Sequence, residues 1–127
     1  METRTFNRLI DTFNESLTPI YTGSVIDWAH DNIDVRGAYA VQGRFNVGIS
    51  KYLIQPFLDL QNREVTQINL IAATQTGKTL VSEIYLPYII ANTPGSCLRL
   101  HQSDDMAKTA IESRLYPLLT NCKDIRK

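Results

Sequence analysis

The sequence predicts an α/β fold, a partial parallel sheet with a helical extension ahead of it. Three observations carry this. Residues 65–72 form an apolar run without charge, a glycine-containing loop follows it directly, and residues 78–91 then read as a helix. A second short strand-like stretch at 97–101 leads into another helical stretch. Strands that alternate with helices are joined by right-handed crossovers, which makes the strands parallel. Two segments follow from the pattern: a helical and irregular one at 1–60, and the first part of the sheet domain at 61–127.

From the beginning, Phe6, Leu9, Ile10, Phe13 and Leu17 recur at helical spacing, which predicts an amphipathic helix over 5–17 ended by Thr18-Pro19. Ser24 is placed to cap a second short helix through Trp28 and Ala29, with Trp28 as a core or interdomain anchor. Residues 32–50 hold Gly37, Gly43 and Gly48 among polar residues and read as irregular, with at most a short strand. Residues 51–61 turn apolar again, and Pro56 suits the first turn of a helix there.

Val65 to Ala72 has the composition of a strand covered on both faces. The helix at 78–91 is expected to be disturbed near Pro87. Thr93-Pro94-Gly95 is a turn, and Cys97 to His101 a second strand. Ser103 caps the next helix, with Asp104 and Asp105 at its positive end. That helix runs to about Leu119, with Ala107, Ala110, Ile111, Leu115 and Leu118 as core positions.

The bulk numbers narrow the function. The 127 residues, 43% hydrophobic and 20% charged, make ordinary globular protein of one domain or part of one. Thirteen acidic and thirteen basic residues cancel, so no long-range field draws the chain to nucleic acid. A DNA-handling role therefore needs a local basic patch or another part of a larger protein. Cys97 and Cys122 are too few and too far apart for a zinc site, although they permit one disulfide. The start carries no long apolar run, and the stretch around Leu86–Ile90 contains Pro87 and is too short for a bilayer. A reduced, cytoplasmic protein without a membrane association is the expectation.

The chemistry lies in Ala72-Ala73-Thr74-Gln75-Thr76-Gly77-Lys78-Thr79. A strand that delivers the chain to a tight loop before a helix presents free backbone N–H groups at the helix's positive end. Gly77 lets the backbone approach a phosphate closely. Lys78 can reach the β- and γ-phosphate oxygens, as the catalytic residue of the loop, and the Thr79 hydroxyl can ligate Mg²⁺. Residues 73–79 are thus the candidate ATP-binding backbone, with ATP and Mg²⁺ as cofactors. The usual pattern opens with Gly where this chain has Ala72.

Upstream, Gln55 could contact adenine through its amide and Tyr52 could stack on the base. The competing readings are a solvated Gln55 and a core Tyr52. Arg114 pairs with Glu112 or Asp105, or touches DNA or a neighbouring subunit. His30 and His101 have no partner at metal or triad spacing. Asp104 and Asp105 suit a helix start better than a metal site.

Four stretches together resemble the amino-terminal ATPase region of the lambda-like large terminase subunit of tailed phages: Asp27-Trp28-Ala29, Ser50-Lys51-Tyr52-Leu53-Ile54-Gln55-Pro56-Phe57, Gln75-Thr76-Gly77-Lys78-Thr79 and Ser113-Arg114-Leu115-Tyr116-Pro117-Leu118-Leu119. Their order and spacing agree over about residues 25–120. The resemblance implies a P-loop ATPase of RecA/terminase-like fold that drives DNA into a procapsid. It also implies double-stranded DNA, a small terminase subunit and the portal as partners, a homo-oligomeric motor, and a carboxy-terminal nuclease in the complete protein.

Departures from the family pattern stand beside it. Thr74-Gln75 occupies the stretch where many terminases carry an arginine, so an arginine finger must come from elsewhere. His101-Gln102-Ser103 stands where related motors often have Pro-Thr. No apolar-Asp-Glu strand (Walker B) follows the loop, so the chain reads as truncated before it, and this chain alone is expected to lack the full catalytic set. A superfamily-2 helicase-like ATPase and a nucleotide-binding remnant without turnover remain the alternative readings.

Overall fold

The computed structural model describes residues 2–16 and 21–126, with side chains described at 5–13 and 21–126. Helix α1 covers Glu2–Ser16, as the spacing predicts. Phe6, Leu9, Ile10 and Phe13 stand exposed along it. Leu17 and the expected stop at Thr18-Pro19 lie outside the described residues.

Helix α2, Val25–Asn32, begins where Ser24 predicts: the Ser24 Oγ accepts from the Ile26 amide at 3.1 Å. This satisfies one of the helix's orphan donors. Its buried face carries Val25, Trp28 and Ala29. Trp28 is the expected core anchor, and its indole N–H donates to Asp124 at 2.9 Å. Edge-on contact with Tyr88, at 5.4 Å between ring centres, fixes the indole plane.

The glycine-rich stretch makes a small antiparallel pair, β1 at Asp34–Val35 and β2 at Gly43–Arg44. A 3₁₀ stretch at Val47–Leu53 then leads into helix α3, Ile54–Gln61, with Pro56 in the first turn. Helix α4 covers Lys78–Asn92 and continues through the buried Pro87, where a disturbance was expected. The last helical run has three parts: α5 at Asp104–Ala110, a π-helical turn at Ile111–Leu115, and α6 at Tyr116–Thr120. Ser103 caps α5 as predicted, its Oγ accepting from the Met106 amide.

The two predicted parallel strands are a correction. Residues 65–72 and 97–101 carry no regular secondary structure, and among the described residues the sheet is the two-stranded pair β1–β2. A ladder needs a neighbour within hydrogen-bonding distance and burial for its apolar side chains. Here α2, α3, α4 and α6 supply the buried core around Trp28, Phe57, Ile84 and Leu118. Ile71, Leu98 and Leu100 face outward, at 97%, 83% and 82% exposure. The architecture is helix-rich with a minimal sheet. Of the expected core positions on the last helical run, Leu115 and Leu118 are buried, whereas Ile111 is exposed.

No described helix is long and apolar enough to cross a membrane. Cys97 is exposed, Cys122 is buried, and both are free thiols.

Candidate functional site

The loop 72–79 meets the start of α4 at Gly77, which stands at the N-cap with φ +82°. Only glycine adopts that left-handed conformation without strain. Space is tight for a side chain as well, because a Cβ at Gly77 would sit 3.0 Å from the Leu53 Cδ1, which would have to shift. Gln75 also has positive φ, 58°. Two residues of the loop, Gln75 and Gly77, thus have positive φ.

Lys78 folds back over the loop. Its ammonium donates to the Ala72 carbonyl at 2.7 Å and also to the Ala73 carbonyl. The loop's own carbonyl oxygens thereby hold the positive charge of Lys78. The Thr76 hydroxyl closes the turn by donating to the Ala73 carbonyl at 2.8 Å. Thr79, the proposed magnesium ligand, is the second residue of α4 and exposed. Among the described residues no group of three or more His, Cys, Asp or Glu side chains is arranged to hold a metal ion.

Tyr52 is tied to the same loop, its hydroxyl donating to the Thr76 carbonyl at 2.8 Å. It is well exposed, which sets aside the core reading of this residue. Gln55 is placed differently. Its amide donates to Asp59 on the same helix at 2.7 Å, and it does not line the cavity next to the loop.

That cavity, of about 440 Å³, lies between the loop and the 38–47 segment. Gln75, Thr76, Gly77, Lys78 and Thr79 line one side, with Tyr39, Phe45, Tyr52 and Arg114 among the other walls. Ala73 and Thr74 lie outside the lining. No carboxylate lines it, although the chain holds as many acidic as basic residues.

Beneath the cavity a buried network stiffens α4. Glu83 is fully buried, accepts from the Tyr39 hydroxyl, and pairs with Arg99 at 3.1 Å. Burial, and then the hydrogen bond to Glu83, push the Tyr39 phenol far above its ordinary value; Arg114 and Arg99 pull the other way. The sequence alone gave no sign of Tyr39 and Glu83, since no local pattern brings positions 44 residues apart together. Arg114 corrects an expectation, because it makes no ion pair with Glu112 or Asp105.

No curated protein and no solved structure matches the chain. The family model described as "Phage terminase large subunit gpA, ATPase domain" matches over residues 40–127. The matched stretch takes in the loop, α4, residues 40–47 of the cavity wall and Arg114, so the chain belongs to the gpA family of phage terminase large subunits, in its ATPase domain.

Proposed function

We propose that this chain binds ATP–Mg²⁺ through the phosphate-binding loop 73–79 and contributes the nucleotide site of a motor that drives double-stranded DNA into a procapsid. The observation that carries the reading is the positive φ of Gly77 at the start of α4, with the Lys78 ammonium held by the loop's own carbonyl oxygens. Backbone N–H groups of such a loop and of the α4 start suit phosphate oxygens. Lys78 would exchange two carbonyl partners for β- and γ-phosphate oxygens. Thr79 would offer its hydroxyl to Mg²⁺. Phosphoryl transfer depends mostly on positioning and charge stabilisation, and these residues bind and orient the phosphates.

Tyr52 is positioned to flank a nucleotide, since it lines the cavity and holds the loop. An adenine contact from Gln55 would require its amide to leave Asp59. The P-loop architecture fits the order of elements: in a parallel sheet, residues 65–72 and 97–101 would be strands with α4 as the crossover between them. The partners are those of the packaging machine, namely double-stranded DNA, the small terminase subunit and the portal, with the motor a homo-oligomer in the host cytoplasm. Cutting of concatemeric DNA would fall to the nuclease of the complete protein.

Titration of a fluorescent ATP analogue into the wild type and Lys78→Ala tests the central claim. Loss of charge-assisted bonds should weaken binding by about ten- to hundredfold. Equal binding by the two proteins would sink it.

A further inference from the structure

Three cationic side chains line the cavity: Arg44, Lys78 and Arg114. Arg44 is already engaged, with Asp31 at 3.0 Å and the His30 carbonyl at 2.7 Å. Lys78 is held by the loop. Arg114 alone of the three has neither an ion pair nor a hydrogen bond among the described residues. The nearby buried carboxylate does not absorb its charge either, because Glu83 is taken by Arg99 and Tyr39. A guanidinium left without a carboxylate in a concave, acid-free site is built for an anionic ligand.

The fold accounts for how Arg114 reaches this place. Pro117 has no N–H, so the carbonyl four residues earlier, on Ser113, lacks its α-helical donor, and the proline ring crowds that carbonyl. The helix widens there into a π-turn, with the Tyr116 amide donating to the Ile111 carbonyl. The Ser113 carbonyl turns outward and accepts from the Ala38 amide at 3.1 Å. Gly37 makes the approach possible: its φ is +96°, and a Cβ there would come 2.5 Å from the Ser113 oxygen. One helical defect therefore docks the 38–47 wall and presents Arg114 to the cavity that this wall encloses. Inserted turns of this kind recur at functional sites.

We infer that Arg114 is a second phosphate-binding cation of the nucleotide site, supplied in cis from the π-turn at Ile111–Leu115. This rests on the assignment of loop 73–79 to ATP, and it names a source for the arginine that the loop itself lacks at Thr74-Gln75. The ligand is the polyphosphate chain and not the base, since guanidinium and phosphate match in charge and in fork geometry.

The test compares wild type, Arg114→Ala, Arg114→Lys and Lys78→Ala, each first checked for an unchanged melting temperature. A fluorescent ATP analogue gives direct affinities, and displacement by inorganic tripolyphosphate and by AMP separates phosphate from base. Arg114→Ala should weaken ATP and tripolyphosphate by about tenfold and AMP by much less, with partial recovery in Arg114→Lys. If Lys78→Ala is impaired while Arg114→Ala binds as wild type, Arg114 is not a phosphate ligand and the loop assignment stands. Equal weakening of ATP and AMP would also overturn the inference, as would an Arg114→Ala defect confined to DNA binding. Should Lys78→Ala bind normally as well, both assignments fall together.

Discussion

The Tyr39 hydroxyl donates a hydrogen bond to Glu83, a carboxylate with no exposed surface. The bond joins the cavity wall to the helix that follows the loop, across 44 residues of chain. A buried carboxylate needs each of its partners, since an unmet lone pair keeps the whole desolvation cost. Arg99 covers one oxygen and Tyr39 the other. Tyr39→Phe should therefore lower stability by about 1–3 kcal/mol, read as a shift in the urea midpoint without a change in slope. An unshifted midpoint would mean that water replaces the hydroxyl at no cost.

The same tyrosine predicts behaviour at high pH. Burial raises the phenols of Tyr39, Tyr21, Tyr85 and Tyr88 above the ordinary value of 10.0. Below that value both folded and unfolded chains keep these protons, so the stabilisation is fully present. Above it the unfolded chain releases protons that the native state retains, and stability falls as pH rises toward the folded values. Thermal unfolding followed from about pH 8 to about pH 11 should show this fall, with a shallower one in Tyr39→Phe. Parallel curves for the two proteins would remove Tyr39 from the account.

How much of this was legible beforehand depends on range. The helix caps at Ser24 and Ser103 were, because a cap is a local bond between neighbours. The glycine at the start of α4 was legible too, since Gly77 directly precedes the predicted helix. The network of Tyr39, Glu83 and Arg99 was not, because its residues come from α4 and two separate irregular segments and none carries a motif. The runs at 65–72 and 97–101 have strand composition, yet composition cannot supply the neighbour that a ladder needs. Pro117 did carry a signal. A proline inside a helical run always frees the carbonyl four residues back, which is Ser113 here.

Gly77 should tolerate no side chain. Alanine at φ +82° is strained by about 1–2 kcal/mol, and its Cβ would press on Leu53 at 3.0 Å. Relief would come from a shift of the loop, since the rest of α4 is anchored by Val81, Glu83 and Ile84 in the core. Gly77→Ala should thus keep its helical circular dichroism while ATP affinity falls by about tenfold, as binding must restore the strained turn. Wild-type affinity in this variant would show that phosphate is not held by the turn.

Pro117 offers a way to move Arg114 without altering it. Alanine there restores an N–H that can return to the Ser113 carbonyl, and it removes the ring that crowds this carbonyl. The helix is then free to lose its π-turn, which rotates the residues before it relative to those after. The Ser113 oxygen would turn back along the helix axis, away from the Ala38 amide it now holds at 3.1 Å. Two consequences should appear together in Pro117→Ala. Hydrogen exchange at the Ala38 amide should accelerate, and ATP affinity should fall although no cavity residue has changed. The helix itself should not suffer, because alanine exceeds proline in helix propensity by about 3 kcal/mol. Faster exchange with full affinity would separate the wall from the site. An Ala38 amide as protected as in the wild type would show that the π-turn is held by the packing of Leu115 and Leu118 and not by the missing N–H.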